Sequence, residues 1–146
     1  MNLQLLQHPL NLFWLCSLLH LIADYHLQGI LSDMKQKDWW DTQIKALYQK
    51  YNSSDKSFEW HYKILKKYKY DYLAGLFCHS IMWSVLTFLP LMLVCSPYMF
   101  ACVVGVNVLV HSIVDHMKAN MHLINLCEDQ AIHMIQIIVS VIIVSI

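Results

Sequence analysis

Four apolar stretches of this chain carry histidine, and three of them pair it with aspartate at one spacing. They read His20-Leu-Ile-Ala-Asp24, His111-Ser-Ile-Val-Asp115-His116 and Asp129-Gln-Ala-Ile-His133, with His79 alone in the fourth. Residues four apart share a helix face, so each pair can offer two ligands to one site. Ionisable groups inside apolar segments are costly and mark function. Imidazole and carboxylate together suit Zn²⁺ and other first-row divalent ions. The candidate ligands are therefore His20, Asp24, His79, His111, Asp115, Asp129 and His133. This set exceeds one tetrahedral shell. The surplus implies carboxylates that orient histidines, or two ions about 3.5–4 Å apart. A bound ion would also offset the cost of burying the carboxylates.

The elements that must position these residues are long apolar runs. A membrane-spanning helix needs about 20 predominantly apolar residues. Leu10–Ile30, Asp71–Val94, Tyr98–Met117 and Cys127–Ile146 meet that need. Pro9 suits a first helical turn. Cys95-Ser96-Pro97 makes a tight link, and Lys118–Leu126 a short polar one. The expected fold is all-α, a membrane bundle of about four transmembrane helices forming one domain. The N-terminus lacks the basic flank and cleavage site of a secretory signal, so the first run is expected to stay as a helix.

Residues 31–70 differ from the rest, holding nine of the ten lysines in a chain without arginine. Trp40, Ile44, Leu47, Tyr48 and Tyr51 recur at helical spacing, as do Trp60, Ile64, Leu65 and Tyr68. This predicts two amphipathic helices on the membrane surface, with a solvated loop as the alternative. The lysines place residues 31–70 and Lys118 in the cytoplasm, with both termini outside a cell (inner) membrane.

That topology makes the motif order informative. The first and third helices run inward and read His then Asp; the fourth runs outward and reads Asp then His. Each aspartate then lies nearer the cytoplasm, with its histidine one turn deeper. His79 lies eight residues past Asp71, roughly 12 Å along the helix and at matching depth.

Composition supports the membrane reading. Hydrophobic residues make up 58% of the 146 and charged residues 14%, against about 25% charged in soluble domains. Zero formal net charge gives no electrostatic case for nucleic acid. Cys16, Cys78, Cys95, Cys102 and Cys127 form no C-x-x-C pair, so they are expected to pack as small apolar residues. No Gly-rich phosphate loop, G-x-S-x-G or H-E-x-x-H motif is present.

Several residues flank the main set. Lys118 shares a face with Asp115 and could pair with a carboxylate or hold a substrate phosphate. Asn107, one turn from His111, could hydrogen-bond to it. Gln28 and Gln130 are further supporting groups. His116 sits ~100° round the helix from Asp115 and is the weaker candidate. His8, His26, His61 and His122 read as packing or interface residues.

The segment H-L-I-A-D-Y-H-L-Q at His20–Gln28 resembles the opening motif of an uncharacterised bacterial and phage membrane family, domain of unknown function 3307. The resemblance continues through Lys35, His79, H-S-I-V-D-H-M-K at His111–Lys118 and D-Q-A-I-H at Asp129–His133. It covers nearly the whole chain except about residues 36–69, which read as an insertion. The family name implies no activity. The motif style is loosely similar to small membrane proteins regarded as metal-dependent hydrolases.

The expectation is a metal-dependent hydrolase acting at the cytoplasmic face on a lipid head group or another amphiphilic ester or phosphoester. Zinc is the expected ion, acidifying a bound water toward pKa ~7. Asp24, Asp115 or Asp129 would act as general base, and Lys118 would hold an anionic group. One alternative is a transporter or channel for protons or metal ions. The other is a non-catalytic protein acting on a partner through residues 31–70. The expected partners are the bilayer, an amphiphilic substrate and a second copy in a homo-oligomer.

Overall fold

The computed structural model describes residues 8–51, 63–64 and 66–146. The described backbone is helical, with no strand. Four helices form a closed bundle: α1 (Pro9–Tyr25), α4 (Asp71–Phe88), α5 (Pro97–Ala119) and α6 (Leu126–Ser145). Each packs against two others, in the cyclic order α1, α4, α5, α6. Two shorter helices, α2 (Ile30–Met34) and α3 (Lys37–Tyr51), lie between α1 and α4.

Local chemistry sets the helix ends. Pro97 opens α5, where its missing N–H costs nothing, and Ser96 Oγ accepts from the Met99 amide. Asn125 and Glu128 form a reciprocal capping box on α6. The second apolar run was expected to continue as a helix to Val94. It changes at Leu89–Leu93 into a 3-10 turn, because Pro90 cannot donate to the α-helical ladder. The first run was expected to reach Ile30. It instead ends at Tyr25, and Gly29 takes φ 47° to begin α2. That left-handed conformation suits glycine and turns the chain back toward the bundle.

Spans Lys66–Leu93, Pro97–Ala119 and Leu126–Ser145 are long and apolar enough to cross a membrane. Their outer faces suit contact with lipid: Val106, Leu109 and Ile113 on α5, and Ile135, Ile138 and Ile142 on α6, are exposed. The interior is divided along its length. Leu12, Cys16, Trp83, Phe88, Leu91, Ile137 and Val141 form an apolar core. The histidines and aspartates are buried toward the other end. Of the five cysteines, Cys16 packs into the core, Cys95 is half-buried, and Cys78, Cys102 and Cys127 are exposed. The packing expectation thus holds for Cys16 and for Cys95, which packs against that core.

The lysine-rich segment is described only in part. Helix α3 carries Trp40, Ile44 and the backbone of Leu47, Tyr48 and Tyr51, with Ile44 buried. Of the second expected helix, Ile64 and Tyr68 are helical, while Trp60 and Leu65 lie outside the described residues. Helix α2 has no fully buried residue but leans on the bundle. It packs on α4 where a Cβ on Gly75 would stand 2.6 Å from the Met34 carbonyl oxygen. Trp40 Nε1 donates to that same oxygen at 2.8 Å. Asn120, at the end of α5, donates to Lys35 O and accepts from the Lys37 amide.

Gly75→Ala should therefore push α2 off the bundle and destabilise by about 1–3 kcal/mol. Gly105→Ala, with nothing within 4 Å of the new Cβ, should be neutral or stabilising. Thermal unfolding of the two detergent-purified variants, compared with the unsubstituted chain, checks the contrast.

Candidate metal centre

The bundle brings the expected residues to one place. Ligand atoms of Asp24, His79 and His111 lie within 4.8 Å of one another, as do those of His111, Asp115 and His133. Both groups are spaced so that they could hold a metal ion, and His111 belongs to both. His20, His79, His111, Asp129 and His133 have no exposed surface, and Asp115 almost none.

Hydrogen bonds fix which atom of the His133 ring faces the centre. Asn107 Nδ2 donates to Val103 O and to Ser140 Oγ, which orients that amide. Its Oδ1 then accepts from Gln136 Nε2 at 3.1 Å. Gln136 Oε1 is left facing His133 Nδ1 at 2.8 Å, so Nδ1 carries a proton. The other nitrogen, His133 Nε2, points at Asp129 Oδ1 (3.4 Å) and Asp115 Oδ1 (3.7 Å). Neither His133 Nε2 nor Asp129 Oδ1 has a hydrogen-bond partner among the described residues. In a neutral ring these are lone pairs facing lone pairs, a contact that either a cation between them or a proton on Nε2 relieves.

The remaining carboxylate oxygens are matched. Asp115 Oδ2 accepts from Lys35 Nζ at 2.6 Å and lies 3.1 Å from His79 Nε2 and 3.5 Å from His111 Nε2. Asp129 Oδ2 accepts from Lys118 Nζ at 2.6 Å. Each buried aspartate thus gives one oxygen to a lysine and turns the other toward His133.

His20 comes to the cluster in a different role. The Trp83 indole N–H can only donate, and it meets His20 Nδ1 at 2.9 Å. Nε2 therefore carries the proton and donates to Gln130 Oε1 at 3.0 Å. With both nitrogens committed, His20 orients Gln130, whose amide donates to Asp24 Oδ2 and Asp129 Oδ2. Gln28 holds the other oxygen of Asp24 at 3.0 Å.

Other expected residues fall elsewhere. Asn107 bonds Gln136 and Ser140 rather than His111. His116 turns away to stack on Tyr72. His8 caps α1 and His26 closes it, while His61 lies outside the described residues. Three participants carried no assigned role in the sequence. Trp83 stacks on His111 with centroids 4.0 Å apart. Gln136 follows His133 by three residues, a same-face spacing that could have found it. Lys35 reaches in from the α2 arm with a side chain only 10% exposed.

A cavity of about 470 Å³ opens onto the centre at the Lys118 end of the bundle. Asp24, Lys35, Asp115, Lys118, Gln28 and Gln130 line it with others. At the opposite side Trp83, Phe88, Leu12 and Leu91 close the interior. No protein-family model, no curated protein and no solved structure matches the chain.

Asp115→Asn should strand the Lys35 ammonium in the interior and cost about 3–5 kcal/mol. Adding Lys35→Met should recover most of that loss. A double-mutant cycle on unfolding in detergent measures the coupling.

Proposed function

We propose that this chain is a membrane-embedded, metal-dependent hydrolase acting on an amphiphilic ester or phosphoester. The observation that carries the reading is the gathering of His79, His111 and His133 Nε2 around Asp115 and Asp129, with His133 Nε2 and Asp129 Oδ1 lacking hydrogen-bond partners among the described residues and Lys35 Nζ reaching both Asp115 and His79. Ligands about 2.0–2.2 Å from a zinc ion stand roughly 3.3–3.6 Å apart in a tetrahedron. The contacts here run from 3.1 Å (His79 to His111) through 3.4 and 3.5 Å to 3.7 Å. They bracket that spacing, and the triad His111, Asp115 and His133, with ligand atoms within 4.8 Å of one another, would close on an ion by small side-chain shifts. His79, His111, His133, Asp115 and Asp129 are the holding residues, and zinc is the ion their chemistry suits.

A divalent ion at this position supplies a water acidified toward pKa ~7. Asp24 is the general base of the proposal. It lines the cavity, and its two oxygens accept from the neutral amides of Gln28 and Gln130 rather than from a lysine. Lys118 stands at the cavity wall to meet an anionic group. The Asn107–Gln136 chain fixes the His133 tautomer, and Trp83 fixes the plane of His111.

The same proposal includes four spans, α1 being the first at 17 residues, the lower end of what crosses a bilayer. The lysine-bearing end then faces the cytoplasm of a cell (inner) membrane, with both termini outside. The resemblance of His20–Gln28 to domain of unknown function 3307 belongs to this reading.

A proton on His133 is the rival way to satisfy its two facing carboxylates, and histidine–aspartate chains do carry protons. Metal content separates the two. The detergent-purified chain should hold at least one equivalent of a transition metal by mass spectrometry, and His111→Ala should hold none. Gln136→Leu should weaken metal affinity by about 10- to 100-fold. Metal-loaded protein should release product from ester or phosphoester lipids in mixed micelles. A metal-free chain that resists reloading would support the proton reading instead.

A further inference from the structure

The charges in the centre do not balance once an ion is added, and the imbalance names the ligand. Asp24, Asp115 and Asp129 contribute three negative charges; Lys35 and Lys118 contribute two positive ones. With neutral histidines the centre is one charge negative. A divalent ion makes it one charge positive, within a largely water-excluded interior. The same ion competes with both ammonium groups for the carboxylates they now hold at 2.6 Å. Lys35 and Lys118 both line the cavity that opens onto the centre, so a lysine displaced from its aspartate has that space to enter.

We propose, resting on the metal-centre reading above, that this cavity binds a phosphoryl group held jointly by Lys35, Lys118 and the ion. Lysine meets phosphate as a point charge, and the chain has no arginine to fork a carboxylate. Ser32, Gln36 and His122 line the same cavity and add donors. Asp24 and Asp115 line it too, and they repel an anion until the ion neutralises them. Metal and phosphoryl group therefore bind as a coupled pair. A free phosphate and a lipid phosphomonoester share this chemistry.

The test is equilibrium dialysis of the full chain in detergent against micromolar zinc. The added anion is chloride alone, inorganic phosphate, short-chain phosphatidic acid or acetate. Phosphate or the phosphatidic acid should tighten zinc retention by roughly 5- to 150-fold, and zinc should tighten phosphate binding by the same factor. Tightening by phosphatidic acid alone assigns the site to a lipid headgroup; tightening by both assigns it to the phosphoryl group itself. Lys35→Met and Lys118→Met should each reduce the phosphate effect while holding zinc in chloride as tightly as the unsubstituted chain or tighter. Helical circular dichroism confirms that each variant is folded, and Lys118, with a side chain 30% exposed, is the safer substitution. Zinc retention that ignores phosphate and phosphatidic acid, or responds equally to acetate, overturns the inference and leaves the metal centre standing. An absence of zinc under every condition overturns both.

Discussion

Asp115 and Asp129 lie inside the bundle, and a carboxylate taken out of water must be matched by charge or by donors. Both are matched in the same divided way, one oxygen to a lysine and one turned toward His133. Each lysine must then be delivered to its aspartate. Lys118 comes at low cost, from the last turn of α5 and with part of its side chain in the open cavity. Lys35 comes from a separate arm. That arm exists only because Gly29 reverses the chain and Gly75 admits the Met34 carbonyl at a distance no other residue tolerates.

The same demand organises the polar part of the bundle interior. Every histidine that reaches the centre brings two nitrogens, and each must be placed. His20 is satisfied at both, by Trp83 and Gln130, and His133 at one, by Gln136, while Nδ1 of His79 and of His111 has no partner among the described residues. The helper groups are themselves anchored: Gln136 by Asn107, and Asn107 by a backbone carbonyl and Ser140. The chain of amides crosses from α6 to α5, so it ties two helices together while fixing one ring. The polar network therefore specifies which helix faces meet, where apolar contacts alone are non-directional.

The i, i+4 pairs were legible in the sequence because face-sharing along a helix is a local property. So was the matching depth of the motifs on helices of opposite direction. The structure does assemble His79, His111, Asp115 and His133 with Asp24 and Asp129. What the sequence could not show depends on neighbours across the bundle. Asn107 does share the His111 side of α5, but Ser140 and Gln136 of α6 offered its amide better partners. His20 has ligand chemistry, yet the Trp83 indole takes its lone pair. Lys35 sits among nine lysines of a polar segment. Nothing in that run of charge distinguishes the one that turns inward, because the signal is Gly75, forty residues later. The ends of the first two apolar runs were misread for a simpler reason: hydropathy continues past Gly29 and Pro90 while the helical hydrogen bonds do not.

The asymmetry of the centre bears on what it can do. A carrier of ions or protons needs access from both sides of its site. Here one side opens through a lysine- and amide-lined cavity, and the other is filled by Trp83 stacked directly on His111 and backed by Phe88, Leu12 and Leu91. Moving an ion past His111 would require that indole to leave, which would also remove the donor holding His20 and disturb Gln130 and Asp24 in turn. The network that orients the centre is thus the one that closes it.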